Sequence, residues 1–243
     1  MRNVLRKIRY KLFFIIEQLY WRSLTTKYIF DAPKGEYQPF PFDKKLIKMR
    51  RYESTVERWK KMKPVLVSEN VKSLKDIGSC MGYFCHKAAE SEIQSFGFDR
   101  NLTFVSISTL ISKKMNLIKA PSFTRIEMNP DTVCFLPRTD ATLLLSVWHH
   151  WYFEFGEVLA DKMLLKVWQN TQKVLIFESG EEEIWKEFEF PDIDTSAKDW
   201  LQAKLESLPG GEVLALSATS AAAYDHYELK MDRTLFAVFK SHA

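Results

Sequence analysis

Cysteine is scarce in this chain of 243 residues, long apolar runs are missing, and no segment repeats. Its three cysteines, Cys80, Cys85 and Cys134, form neither an even disulfide framework nor a metal-ligand spacing. A reduced compartment is expected, with all three as small core or loop residues. No apolar stretch approaches the ~20 residues needed to cross a bilayer. The run Leu12 to Ile16 stops at Glu17-Gln18, too short for a secretory h-region, and no small-residue cleavage site follows. A cytoplasmic location is the expectation. What the chain does have is 46% hydrophobic and 14% aromatic residues, which argues against disorder. The length permits one sizeable core plus an extension.

Charge is uneven. Residues 1–63 carry seventeen Lys or Arg against six Asp or Glu, a balance of +11, and the whole chain carries +4, leaving −7 for residues 64–243. The chain is therefore divided into a basic helical extension, 1–63, and an acidic core, 64–243. Such an extension suits a polyanionic neighbour. Leu5, Ile8, Leu12, Ile15, Ile16 and Leu19 recur at helical spacing, flanked by Arg2, Arg6, Lys7, Arg9 and Lys11. That pattern fits a basic amphipathic helix on an anionic membrane surface, through residues 1–23. It equally fits a helix packing its apolar face on the core. A second helix is expected from Asp43, as N-cap, to about Met62, with Glu57 pairing Lys60 or Lys61. A Pro-rich connector, Asp31 to Asp43, separates the two.

Beyond residue 64, strand and helix patterns alternate, which predicts a mostly parallel sheet covered on both faces. Strands are expected at Ser73–Ile77, Ile93–Asp99, Phe123–Met128, Thr142–Val147, Lys173–Glu178, Glu212–Ser217 and Thr234–Lys240. Helices are expected at Tyr83–Glu90, Leu102–Lys114, Gly156–Asn170 and Ala197–Ser207.

The stretch Asp76-Ile77-Gly78-Ser79-Cys80-Met81-Gly82-Tyr83-Phe84 reads as a strand end, a glycine loop and a helix start. It lacks the G-x-G-x-x-G of dinucleotide loops. Gly78 and Gly82 allow unusual backbone angles and a close approach to the chain. The helix behind them offers free N–H groups and a positive dipole end. Asp99 follows Asp76 by 23 positions, at the end of the next apolar run. Together these residues resemble the cofactor half of class I S-adenosylmethionine-dependent methyltransferases, and seven strands in this order match that family's Rossmann-like core. Cys80-Met81 departs from it, since a further glycine is frequent there. The resemblance implies S-adenosyl-L-methionine as cofactor, bound through Asp76, Gly78, Ser79, Gly82, Phe84 and Asp99, with Asp99 accepting the ribose hydroxyls. It also implies an antiparallel seventh strand, with a hairpin turn around Asp225 to Arg233.

The fourth strand is expected to end in Ser146-Val-Trp-His149-His150-Trp-Tyr-Phe, at a carboxyl edge that, in the arrangement the resemblance implies, flanks the point where strand order reverses. His149 and His150 therefore stand as candidate catalytic bases, at most one of them acting, with His150 favoured. Trp148, Trp151, Tyr152 and Phe153 offer surfaces for a sugar or base. Glu178, closing the fifth strand, is a third catalytic candidate, as an orienting group, an acceptor ligand or an attractor of the sulfonium charge. The acids Glu181–Glu183 suit a helix start, and no convergent oxygen set for a metal is seen. The reading is a methyltransferase acting on an oxygen of a sugar, glycan, lipid-linked saccharide or other small-molecule acceptor, peripheral on the inner face of a membrane. The alternatives are an RNA methyltransferase, for which no RNA-binding module is recognisable, and a catalytically silent binding protein that kept the fold.

Overall fold

The structure, a computed structural model, describes residues 19, 23, 52–115, 117–181, 195–221 and 231–241. Seven strands form one sheet: β1 (Ser73–Ile77), β2 (Gln94–Asp99), β3 (Ser122–Arg125), β4 (Thr139–Leu145), β5 (Thr171–Glu178), β6 (Gly211–Ala221) and β7 (Met231–Lys240). Among the described residues six α-helices of eight residues or more accompany them: α1 (Tyr52–Ser68), α2 (Tyr83–Glu90), α3 (Leu102–Met115), α4 (Trp148–Phe155), α5 (Glu157–Gln169) and α6 (Ala197–Glu206). The strand order is β3-β2-β1-β4-β5-β7-β6. β1 to β5 run parallel, while β7 lies antiparallel to both β5 and β6. The expected mostly parallel sheet with a terminal antiparallel hairpin is therefore found.

Side chains alternate across the central strands and bury both faces, as parallel strands between helices require. Leu74, Leu143, Ile176 and Leu235 join Trp59, Met62 and Leu66 of α1 and Phe84 of α2 on one face. Leu144, Leu175, Phe177 and Phe236 meet Met163 and Val167 of α5 and Leu201 and Leu205 of α6 on the other. Every element from Ser73 onward lies within a few residues of its expected place, with one correction. β4 stops at Leu145 and a helix begins at Trp148, so the histidine pair sits on a helical turn rather than a strand end. Trp148 and Trp151, one turn apart and both buried, are what that helix feeds into the core rather than surfaces for a ligand.

Helix α1 runs without a break through residues 63 and 64, where extension and core were divided, and the expected Glu57–Lys61 pair is present at 2.9 Å. Leu19 is helical and exposed. The rest of the basic stripe in 1–23, the connector, Asp43, Glu182, Glu183 and residues 222–230 of the hairpin turn lie outside the described residues. Among the described residues no helix is long and apolar enough to cross a membrane.

Candidate functional site

Strand order reverses between β1 and β4, so the chain after each leaves in opposite directions and opens a crevice at their carboxyl ends. The glycine loop forms its near wall. Gly78 and Gly82 both hold φ of 75°, and Cys80 follows them into the left-handed region at 50°. The two glycines serve different purposes. A Cβ on Gly82 would sit 2.4 Å from the Phe123 ring, so this glycine is demanded by packing between loop and β3. Gly78 is the exposed residue of the loop, and a Cβ there would stand 2.6 Å from Cγ2 of Val147 across the crevice.

Asp99 clasps this loop. Its Oδ2 accepts the Cys80 amide at 2.8 Å and its Oδ1 the Asn101 amide at 2.8 Å. Burial raises its pKa against the pull of those two amides and of Arg100. A carboxylate offers roughly four acceptor sites, so two remain for hydroxyl donors. Asp76 lies beneath the loop, 2% exposed, and its carboxyl is pushed up to about 8 by burial first and by Asp99 second. Ser79, Gly82 and Phe84 are buried as well. Of the six residues expected to bind cofactor, Gly78 and Asp99 thus reach the crevice, and the other four build the loop behind them. No side chain of the N-cap residue, Gly82, caps α2, so the positive end of its dipole meets no capping oxygen there. An open glycine, an uncapped helix start and a carboxylate with spare acceptor capacity fit S-adenosylmethionine.

Across the crevice a second cluster assembles at the ends of β4, β5 and β7. Glu178 is fully buried and meets Arg58 of α1 through two parallel bonds, Nε to Oε2 at 2.7 Å and Nη2 to Oε1 at 2.9 Å. Ser146 donates its hydroxyl to the same Oε1 at 3.0 Å and its amide to the Glu178 carbonyl at 2.8 Å. Arg233 of β7 donates in turn to Ser146 Oγ at 2.9 Å. Ser146 has φ of 57°, a conformation that costs a non-glycine residue about 1–2 kcal/mol and is held here by those three bonds. Glu181 is buried and its Oε1 accepts the Thr234 amide, so it ties the β5 loop to β7.

The two histidines separate as adjacent residues should. His149 is buried, and its Nδ1 accepts the Gly180 amide at 3.1 Å beside Ser179 Oγ at 3.2 Å. An amide can only donate, so the lone pair is on Nδ1 and the ring proton on Nε2. Burial, then His150 and Arg233, keep its pKa well below the usual value. His150 is exposed, with its ring centroid 4.3 Å from that of His149. Partial burial of its ring, then Arg100 and Arg233, lower its pKa too. His149 has spent its acceptor, and Glu178 has committed most of its own. His150 has no such commitment among the described residues.

Sequence reasoning missed Arg58, Ser146 and Arg233. Arg58 lies 120 positions from its partner and Arg233 lies 87 from Ser146, so no local spacing could pair them. Nothing about a serine after Leu-Leu-Leu signals a left-handed backbone.

No family model and no curated protein sequence matches this chain. Solved structures do. The bifunctional kinase-methyltransferase WbdD superposes over 88% of this chain at a TM-score of 0.64 and 16% identity, although the match covers only 45% of WbdD. The chain has the class I methyltransferase fold. Magnesium protoporphyrin IX methyltransferase from Synechocystis PCC 6803, solved with S-adenosylmethionine bound, matches over 78% of this chain and 81% of its own, at 0.57 and 13% identity. The methyltransferase domain of bacterial CtHen1-CN matches over 77% and 99%, at 0.54 and 17% identity. This methyltransferase fold puts the Asp99 clasp and the Arg58–Glu178 cluster on opposite walls of one crevice.

Proposed function

We propose that the chain is an S-adenosylmethionine-dependent methyltransferase acting on an oxygen of a sugar, glycan or lipid-linked saccharide. The observation that carries the reading is the Asp99 clasp on the glycine loop, at the point where strand order reverses. Neighbouring structures named as methyltransferases support it, one of them solved with S-adenosylmethionine and another with its demethylated product.

Gly78 and the first-turn amides of α2 would hold the cofactor's carboxylate, and Asp99 its ribose hydroxyls. When bound, the cofactor supplies a methyl group activated by a sulfonium. His150 takes the proton of the acceptor hydroxyl, since its imidazole stays neutral at pH 7 beside two guanidiniums. His149 serves as the buried platform under it. Positioning supplies most of the remaining acceleration. Residues 1–23 hold the protein to an anionic membrane surface.

Calorimetry with S-adenosylmethionine tests the cofactor. Asp99→Ala should weaken binding by about 1–3 kcal/mol, and unchanged affinity in a folded variant would remove Asp99 from the site. Labelled cofactor incubated with cell extract, then fractionated into lipid, glycan and RNA, tests the acceptor. Label in RNA alone would overturn the glycan reading, and failure to sediment with anionic liposomes would overturn the membrane one.

A further inference from the structure

The helix before β1 reaches into the acceptor wall, and this deepens the methyltransferase reading on which it rests. We propose that Arg58 is a positioning residue of the acceptor site, fixing through Glu178 and Ser146 the turn that carries His150. The chain of bonds is continuous. Arg58 grips both oxygens of Glu178 at 2.7 and 2.9 Å, Glu178 holds the hydroxyl and amide of Ser146, and Ser146 receives Arg233. Ser146 immediately precedes Val147, the N-cap of α4, whose carbonyl accepts the His150 amide at 2.9 Å. The left-handed backbone at Ser146 ends β4 and starts α4 within two residues, so whatever fixes Ser146 fixes the direction in which His150 leaves the sheet.

A merely structural pair is a poor explanation. A buried ion pair seldom stabilises a protein more than an apolar pair of the same volume would, and α1 already packs through Trp59, Met62 and Leu66. What a bidentate guanidinium adds is direction: two parallel bonds fix the carboxylate plane, which a lysine cannot do. Arg58 does not meet the reacting atoms in this arrangement. It acts through Glu178.

Two variants of the full chain test this. Arg58→Lys keeps the charge and loses the fork. Its S-adenosylmethionine affinity should stay within about twofold, while methyl transfer into extract falls about 10–100-fold, in kcat rather than KM. The double variant Arg58→Met/Glu178→Leu should melt close to the wild type and still fail to transfer methyl, because packing is restored and direction is not. Independently of any turnover, the His150 ring proton followed by NMR should titrate nearer its ordinary value in both variants, as Arg233 loses its hold on Ser146. Wild-type turnover in Arg58→Lys, or turnover returning with stability in the double variant, would overturn the proposal, as would an unmoved His150 titration in both. A wild type that binds no S-adenosylmethionine would count against the methyltransferase reading alone, and the His150 titration would still decide the role of Arg58.

Discussion

The two walls of the crevice are built by different means. On the β1–β2 side, main-chain groups do the work: two amides clasp Asp99, the Phe98 carbonyl takes the Gly78 and Ser79 amides, and glycine makes room. On the β4–β5 side, side chains drawn from α1, β5 and β7 converge on one buried carboxylate and one serine. A wall made of backbone recognises what never changes, and one made of side chains can be rewritten without disturbing the sheet. In the proposed function, cofactor binding falls to the first wall and acceptor choice to the second.

Breaking the side-chain wall should have the largest effect on stability. Glu178→Ala leaves the Arg58 guanidinium, 11% exposed, without its carboxylate. Uncompensated buried charges of this kind cost about 3–5 kcal/mol. Urea unfolding would show the loss as a lower midpoint with an unchanged slope. A midpoint within experimental error of the wild type would mean that the pair is solvated and the wall is not one unit.

The backbone wall should break less steeply. Gly82→Ala meets the Phe123 ring at 2.4 Å and demands φ of 75° from an alanine. Left-handed strain alone costs about 1–2 kcal/mol, and the ring must also move. Phe123→Leu in the same chain should recover the packing part and leave the strain, so the two changes will not add. Strict additivity would show that the ring is not what requires the glycine.

How legible each wall is in sequence follows from the same contrast. Gly78, Gly82 and Asp99 are close in sequence and of types that the backbone itself demands, so their pattern survives in one dimension. Strand places were equally legible, because both faces are buried and the apolar runs are continuous. The acceptor wall was legible only at Glu178 and the histidines, whose position after a strand marks them. Their partners are set by the fold. The run after Leu145 reads as strand because aromatic and branched residues follow one another, and a single left-handed serine turns it into helix.

Buried charge separates the cofactor edge of β1 from its opposite end, and pH will tell them apart. Asp76 has its folded pKa raised to about 8. Between the unfolded value near 4 and that point, the native state binds the extra proton, so this group makes stability fall as pH rises. Lys75 points the other way along the strand. Its Nζ donates to the Asn170 carbonyl at 2.7 Å, the Pro137 carbonyl at 3.1 Å and Thr139 Oγ1 at 3.2 Å, yet burial, then Lys240, lower its pKa to about 7. From about 7 to its unfolded value near 10.4 the unfolded chain binds the extra proton, so this group makes stability rise with pH. Asp76→Asn should flatten the acid limb and leave the alkaline one. Lys75→Met should flatten the alkaline limb, at a cost from the Pro137 carbonyl and Thr139 Oγ1 losing this donor, while the Asn170 carbonyl keeps the Thr139 amide. Denaturation midpoints measured across pH 4 to 10, about the span of the two windows, would expose an error in either sign.

The finest test lies where the walls meet. After burial, two charges lower the pKa of His150: Arg100, which follows Asp99 and is exposed, and Arg233, which is buried on the acceptor side. Exposed charges are screened by salt, and buried ones much less. Arg100→Ala should therefore raise the His150 pKa slightly at low ionic strength and not at all in about 1 M salt, where the Debye length is only ~3 Å. Arg233→Ala should raise it in both. The pH–rate profile of methyl transfer should follow, its acid limb moving to higher pH with each variant, because a base that protonates sooner is lost sooner. Should Arg100→Ala prove the salt-resistant variant, the charge that governs His150 would belong to the cofactor wall, and acceptor chemistry could not be assigned to the side-chain wall alone.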